Sequence, residues 1–283
     1  MSVICVQCCY YLCAGEIHTL KDMSAVSFLD KELFMLKNRS SELIAYDATD
    51  YSLHGSVTIP CNSHCNFVDM AACCFNHCLY LPDIQNQRIV KLQLPSMLSE
   101  WKVDDIGSDL TVSVTSSHDL LVMCGQSNKL KLFSTDGQLQ TTVVLQQDIV
   151  RVNSAIELSP GQYIVTHGKY SDAFHRVCVI NSEGKILHVH GGFKGSYPTL
   201  LDTPVDAAVD KDGFVYVVEK GGRLIVLSSK LDYMHSINYE RPPDVSDLCY
   251  RRVKVDKELR RVYLYYTGVS LRRNSMFVTV YEM

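Results

Sequence analysis

The sequence lacks the long apolar segment of a membrane helix, because no apolar run reaches the roughly 18–20 residues needed to cross a bilayer. It also lacks a marked excess of either charge, with 27 basic and 31 acidic side chains and a formal net charge of −4. Such a balance gives no general attraction to nucleic acid, so binding there would need a local basic patch. Membrane and DNA partners are therefore not expected.

Common catalytic signatures are missing as well. The chain contains no G-x-S-x-G nucleophile pattern and no glycine-rich loop that would cradle a phosphate. Long helical periodicity is also absent, which argues against a helical or mixed fold. These absences favour an all-β protein without nucleophilic catalysis.

The N-terminal segment MSVICVQCCYYLCAG is apolar enough to suggest a signal peptide. Gln7 interrupts the apolar run, however, and no Lys or Arg precedes it. We therefore expect a cytoplasmic protein.

The chain contains 12 cysteines. A chain of this length does not need disulfides to fold, so free cysteines in strands are expected to pack as small apolar residues. One group with histidines deserves testing as a zinc site: Cys61, His64, Cys65, Cys73, Cys74, His77 and Cys78. If residues 67–73 form a strand, they separate the two halves by about 20 Å at ~3.3 Å per residue, too far to share one ion.

A strand–turn–strand unit recurs along the chain. The first turns of the units fall at Asp30-Lys31, Asn76-His77, His118-Asp119, Pro160-Gly161, Asp212-Gly213 and Asp256-Lys257. Each turn lies between β-prone runs, and a third run follows each pair. A period in the low forties with four strands per unit is typical of a β-propeller.

The sequence therefore predicts an all-β, six-bladed β-propeller of four-stranded antiparallel blades. The predicted blades are 24–59, 67–103, 110–145, 152–190, 204–237 and 247–283. The sixth contains only three strands. We expect a strand from residues 1–20 to supply the fourth and close the ring, because a closed ring leaves no free sheet edge.

The fifth unit carries the most specific motif. Its sequence, TPVDAAVDKDGFVYVVEKGGRLIVL, resembles an NHL repeat, with a Pro-led strand, Val-Asp, Asp-Gly, an aromatic strand and an Arg-hydrophobic alternation. The preceding HRVCVINSEGKILHVHGGFKGS is similar to the passage between NHL repeats. Glu219 stands where NHL repeats usually carry Asp. The motif is strong over the second half of the chain, whereas the spacing extends over all of it.

This resemblance implies the kind of propeller found at the C-terminus of tripartite-motif ubiquitin ligases and Brat-type translational repressors. Those propellers recruit a protein substrate or single-stranded RNA. No RING or B-box zinc pattern and no coiled coil occur in this sequence, so ligase activity in the same chain is not expected. The resemblance thus predicts a non-enzymatic binding platform that acts as a substrate-recognition module.

Loops between second and third strands and between blades emerge on one face of a propeller, which we call the loop face. Its basic and aromatic side chains could bind single-stranded RNA or a protein. The predicted binding residues are Arg39, Arg88, Lys129, Lys169, Tyr170, Phe174, Phe193, Tyr197, Arg223, Arg241, Arg272 and Arg273. The acidic total charge favours a protein partner.

A metal-dependent lactonase or hydrolase is the alternative hypothesis. Asp69, Asn153, Asp206 and Asp247 come near the start of innermost strands and would surround one mouth of the channel. Carboxylates and an amide suit Ca²⁺, and in sugar-lactonase-type propellers, which this ring resembles, such a metal polarises a lactone carbonyl. The ring departs from that pattern, because it has Thr111 in blade 3 and no Glu in blade 1. The favoured prediction is therefore a protein that is not an enzyme and has no cofactor. Under the alternative hypothesis, the cofactor would be Ca²⁺ or Zn²⁺.

Overall fold

The computed structural model describes residues 10–11, 23–37, 40–61, 65–94, 97–104, 110–124, 127–169, 171–195, 197, 199–238, 245–257, 260–270 and 273–282. For residues 10–11, 238, 245–251, 267–270 and 273–282 it describes the course of the backbone. All regular structure in these ranges is β-strand, and they include no helix. Nothing in them, accordingly, forms an apolar helix of membrane-spanning length.

The strands are grouped into four-stranded antiparallel sheets in chain order. The first described strand is β1 (Tyr10–Tyr11), and blade 1 contains β2 (Met23–Leu29), β3 (Glu32–Lys37), β4 (Glu42–Asp47) and β5 (Leu53–Thr58). Blade 2 contains β6 (Ala71–Cys73), β7 (Cys78–Asp83), β8 (Arg88–Gln93) and β9 (Met97–Lys102). Blade 3 contains β10 (Leu110–Val114), β11 (Leu120–Cys124), β12 (Lys129–Phe133) and β13 (Leu139–Val144).

The second half continues the same pattern. Blade 4 contains β14 (Val152–Ser159), β15 (Gln162–His167), β16 (Phe174–Asn181) and β17 (Ile186–Phe193). Blade 5 contains β18 (Pro204–Val209), β19 (Val215–Glu219), β20 (Arg223–Leu227) and β21 (Tyr233–Asn238). The last sheet contains β22 (Val245–Asp256), β23 (Arg261–Ser270) and β24 (Arg273–Glu282), and β1 pairs with β24 at its edge.

The first turn of each of the five complete blades depends on a residue with positive φ. These residues are Asp30 (56°), His77 (46°), His118 (68°), Gly161 (76°) and Gly213 (83°). Asp and His tolerate this conformation better than most residues, and Gly adopts it without a Cβ clash. All five lie in turns that the sequence predicts, so the hairpin signal is local and correctly identified.

The core consists of apolar clusters between neighbouring blades. Phe34 and Leu79, for example, belong to the cluster between blades 1 and 2, and Ile164 and Val217 to that between blades 4 and 5. The innermost strand of each blade contacts that of the next, as in a propeller. The predicted all-β propeller of four-stranded antiparallel blades is confirmed, with five complete blades.

The last sheet packs on both sides. Val253 belongs to a buried cluster with Val218 of blade 5, and Tyr263 to a buried cluster with Met35 of blade 1. The fourth strand of this sheet is β1, which has only two residues. Tyr10 pairs with Val280, and Tyr11 pairs with Thr279. The sheet that ends the chain therefore lies between blades 5 and 1.

Candidate functional site

Two aspartates of the predicted ring are almost fully buried, with 1% of Asp69 and 4% of Asp206 exposed. Asp69 Oδ2 accepts the backbone N–H of Val112 in blade 3 at 3.0 Å. Asp206 Oδ2 accepts the backbone N–H of Val253 in β22, also at 3.0 Å. Each carboxylate therefore ties its own blade to the innermost strand of the next.

A guanidinium lies between these carboxylates. Arg252 Nε donates to Asp69 Oδ1 at 3.3 Å. Burial raises the pKa of Asp206, against the attraction of Arg252 and Lys254. Burial also acts to lower the pKa of Arg252, but the charges of Asp69 and Asp206 outweigh it and raise that pKa. This group of buried carboxylates thus contains its own positive charge.

Arg252, rather than Asp247, occupies the ring position of the last sheet. Asp206 follows a register shift in β18 and pairs with Val218, and Arg252 follows a register shift in β22 and pairs with Tyr265. The backbone places Asp247 five residues earlier in β22, and its side chain lies outside the described residues. The expectation that Asp247 completes the ring did not take these bulges into account.

Asn153 also connects neighbouring blades. Its Nδ2 donates to the carbonyl oxygen of Pro204 in blade 5 at 2.7 Å and to that of Gly168 at 3.2 Å. Across the described part of the chain, no three His, Cys, Asp or Glu side chains form a group that could hold a metal ion. Asp69, Asn153 and Asp206 each make a hydrogen bond to a neighbouring blade, and Asn153 makes a second one within blade 4.

Arg88 of the loop face is committed to internal contacts. Its Nε donates to Asp83 Oδ2 at 3.1 Å, and its other nitrogens contact Glu100 and Cys65. Asp83 is fully buried, and burial acts to raise its pKa. Hydrogen bonds from Asn66, Asn86 and Arg88 outweigh this effect and lower the pKa. Arg88 therefore fixes loops of blade 2, which sequence reasoning did not foresee.

Arg223 makes the equivalent contacts in blade 5 and also holds the connection from blade 4. Its Nε and Nη2 donate to Glu219 at 2.7 and 2.9 Å. Its Nη2 and Nη1 also donate to the carbonyl oxygens of Leu200 at 2.7 Å and Tyr197 at 3.2 Å. Burial raises the pKa of Glu219, against hydrogen bonds from Arg223 and the Asp202 amide. This ion pair anchors the connection between β17 and β18.

His175 holds the same connection through a buried hydrogen bond to Thr203. It is fully buried, and its Nδ1 accepts the backbone N–H of Thr203 at 2.6 Å. Burial lowers the pKa of His175, so the ring is neutral and can accept this hydrogen bond. Gly191 passes so close that a Cβ there would meet the His175 carbonyl oxygen at 2.4 Å. No sequence pattern identified His175 as a support.

The anchored connection displays aromatic rings to solvent. Tyr197 is 74% exposed and Phe193 is 68% exposed. The ring of Phe193 packs on that of Phe174 at 5.1 Å, and the guanidinium of Arg176 lies 4.0 Å from the Phe174 centroid. We call Phe174, Phe193 and Tyr197 the aromatic loop surface.

The structure brings only part of the predicted loop face together. Phe174, Phe193, Tyr197 and Arg223 meet between blades 4 and 5, and Lys169 lies in the same blade as Phe174. Arg88 and Lys129 belong to blades 2 and 3. The remaining predicted residues lie outside the described side chains: Arg39, Tyr170, Arg241, Arg272 and Arg273.

The fold and these sites define the chain as a β-propeller protein. It is similar to the structure of a catalytically inactive virginiamycin B lyase from Staphylococcus aureus with quinupristin, with a TM-score of 0.65, 9% identity, and 97% of this chain and 88% of that chain covered. It is also similar to the RRP9 WD40 repeats, with a TM-score of 0.60, 12% identity and coverage of 95% and 82%. At these identities the likeness shows the fold alone.

A propeller domain of Cps50 (Swd1) from Myceliophteria thermophila is a further similar structure, with a TM-score of 0.57, 8% identity and coverage of 92% and 83%. No family model matches the chain, and no curated protein matches its sequence. The similar structures thus include a lyase as well as WD40 repeats, so the shared fold does not select one function.

Proposed function

We propose that the protein is a non-enzymatic binding platform that recruits a protein partner through the aromatic loop surface. The observation that carries the proposal is the exposure of Phe193, at the end of β17, and of Tyr197, on the connection that Arg223 and His175 hold in place. Exposed aromatic side chains dominate interface hot spots, and residues that hydrogen bonds already hold in place lose little entropy on binding.

The proposal includes a six-bladed NHL-type propeller closed by β1. The packing of the last sheet against blade 1 supports six blades, as does the contact of the Tyr265 hydroxyl with the Ser24 carbonyl. The Arg88–Asp83 and Arg223–Glu219 pairs support the repeat, because each links the start of a third strand to the end of the second. A cytoplasmic substrate-recognition module related to tripartite-motif ligases is the corresponding role.

The charges around the aromatic loop surface favour a protein over single-stranded RNA. Lys194 pairs with Asp202 at 3.3 Å, and Arg176 pairs with Asp148 at 3.1 Å. RNA binding depends on cations that are free to neutralise phosphates, whereas these cations already have acidic neighbours. A protein partner needs no such excess of positive charge.

Affinity capture with matched variants tests the proposal. The double substitution F193A/Y197A removes the exposed rings, and the control L139A removes a 53% exposed side chain from blade 3. Proteins captured by the wild type and the control should be lost from the double variant. With the purified partner, the double variant should raise Kd at least about 30-fold, the effect of roughly 2 kcal/mol at a hot spot.

Three outcomes would count against the proposal or its choice of partner. Equal capture by wild type and double variant, with unchanged melting temperatures, would exclude the aromatic loop surface. Capture that ribonuclease abolishes would favour RNA. A large saturable rise in melting temperature with Ca²⁺ or Zn²⁺ would favour the lactonase alternative. That alternative is disfavoured by Arg252, whose charge lies beside Asp69 and Asp206.

A further inference from the structure

The first hairpin of blade 2 brings two thiols into register. Cys73 ends β6, Cys78 begins β7, and the two residues are direct antiparallel partners across the turn. Both side chains are buried, at 2% and 0% exposure, in the apolar cluster between blades 2 and 3. Directly opposed residues have Cα atoms about 4.5–5.5 Å apart, within the roughly 4.4–6.8 Å that a disulfide spans.

The surrounding groups make the two thiols unequal. Asn76 Nδ2 donates to Cys73 Sγ at 3.2 Å. Hydrogen bonds from Cys78 and Asn76 outweigh burial and lower the pKa of Cys73 to about 5, whereas the bond with Cys73 and burial raise that of Cys78. A thiolate is the nucleophile in thiol oxidation, and a neighbouring thiol can resolve the product.

Other ionisable groups near the pair come from the elements around it. Tyr80 lies two residues along β7, Lys91 comes from β8, and His118 comes from the first turn of blade 3. His118 and Lys91 contribute positive potential, which favours a thiolate. Of these groups, His118 supports the division of roles because it acts on Cys73, whereas Lys91 and Tyr80 act to lower the pKa of Cys78 and oppose it.

The hairpin offers a route to solvent. β6 has three residues, compared with five to twelve in the other innermost strands. The turn residues Cys74 and Phe75 are exposed, and the Phe75 ring stacks on His118 at 4.1 Å. A short strand beside an exposed turn can open locally without unfolding the blade, which would admit a small oxidant to Cys73.

We propose that Cys73 and Cys78 form a redox-active dithiol, a modification site that hydrogen peroxide oxidises to a cross-strand disulfide. The Cys73 thiolate attacks one peroxide oxygen, the O–O bond breaks, and Cys73 becomes a sulfenic acid as the first water leaves after protonation. The Cys78 sulfur then attacks the Cys73 sulfur, the S–O bond breaks, and a second water leaves. Two thiols lose two electrons, and one hydrogen peroxide becomes two waters.

Differential alkylation with peptide mass spectrometry tests the proposal on the full chain. One equivalent of hydrogen peroxide should link Cys73 to Cys78 before it modifies Cys178. Cys178 is a suitable internal control, because Val165 and Val189 lie opposite it and burial raises its pKa to about 12. In the C78S variant, dimedone should trap a sulfenic acid at Cys73, whereas C178S should oxidise as the wild type does.

The pH profile separates a poised dithiol from ordinary buried cysteines. The thiolate fraction of a thiol with the usual pKa of about 8.5 falls about 75-fold between pH 8 and pH 6. The rate of Cys73–Cys78 linkage in the wild type should fall less than about twofold, because its pKa of about 5 lies below this range. This measurement needs no substitution, so it remains informative if a serine variant fails to fold.

Three results would overturn the proposal. The first is a disulfide that involves exposed Cys74, or the Cys61 and Cys65 thiols, while Cys73 stays reduced. The second is a linkage rate that falls with pH as an ordinary thiol would. The third is oxidation of Cys178 as early as Cys73.

Discussion

Replacing Arg252 with methionine should destabilise the propeller much more at pH 7 than at pH 5. The substitution preserves much of the side-chain length but removes the guanidinium that pairs with Asp69 at 3.3 Å and acts on Asp206. Both carboxylates then remain buried, each with a hydrogen bond from a strand of the next blade. Protonation is the simplest way to remove the unpaired charge.

Two energies limit how much stability the Arg252 variant can lose. Breaking a buried ion pair by removing one partner reduces stability by about 3–5 kcal/mol. Protonating a carboxyl with an ordinary pKa of about 3.9 requires about 4 kcal/mol at pH 7 and about 1.5 kcal/mol at pH 5. We therefore expect the free energy of unfolding to fall by about 3–4 kcal/mol at pH 7 and by about 1–2 kcal/mol at pH 5.

The sign follows from the direction of the pKa change. Burial already raises the folded-state pKa of Asp206, and loss of the guanidinium removes an attraction that acts to lower it. The stability associated with a raised carboxyl pKa is present below the unfolded-state value and is lost as pH rises through the folded-state value. The variant should therefore regain stability on acidification relative to the wild type.

Urea unfolding followed by circular dichroism at both pH values provides the measurement. Lys254→Met is the matched control, because Lys254 lies in the same strand, is partly exposed and acts on Asp206 by charge. Its effect should stay below about 1 kcal/mol. Adding Asp69→Asn to the Arg252 variant should recover part of the loss. An unchanged urea midpoint for R252M at pH 7, or an equal loss at both pH values, would refute this account of Arg252 and the two buried carboxylates.

Three further predictions concern the ring, a buried histidine and a tight contact. Deleting residues 1–20 should lower stability by more than about 2 kcal/mol, because an edge and apolar surface become exposed; an unchanged melting temperature would refute ring closure. Burial lowers the pKa of His167 to about 4, so the free energy of unfolding falls as pH drops below 6.5. Between pH 7 and pH 5 this histidine should reduce the stability of the wild type by about 2 kcal/mol, and H167L should lack that reduction in urea titrations. G184A should destabilise more than G161A: both positions have positive φ, but a Cβ at Gly184 would meet the Val144 carbonyl oxygen at 2.0 Å, whereas none lies within 4 Å at Gly161. Equal melting temperatures for these two variants would contradict the contact.

The strand and turn pattern was predictable because the physics of a hairpin is local. A turn needs a residue that tolerates positive φ, and Asp30, His118 and Gly213 provide it at the predicted positions. The register was less accessible. A two-residue turn at Asn76-His77 would place Phe75 opposite Cys78, whereas the observed pairing places Cys73 there.

The charged residues were harder to interpret, because their partners come from other strands. The sequence predicts that Arg88 and Arg223 are available to bind a partner. In the structure, each pairs with an acidic residue at the end of the preceding strand. The recurrence of an acid four or five residues before an arginine was the available signal. No comparable signal identified Arg252 as a ring residue. The ring positions were predicted by counting residues back from each first turn, and the bulges in β22 change that number of residues.

The way Asp69 and Asp206 hold the neighbouring blades has an evolutionary consequence. Each carboxylate recognises a main-chain amide, at positions 112 and 253, and not the side chain that follows it. Any residue except proline offers that amide, so the receiving positions can drift through many amino acids while the ring keeps its spacing. Propellers built with such contacts can diverge until almost no sequence likeness survives and still superimpose.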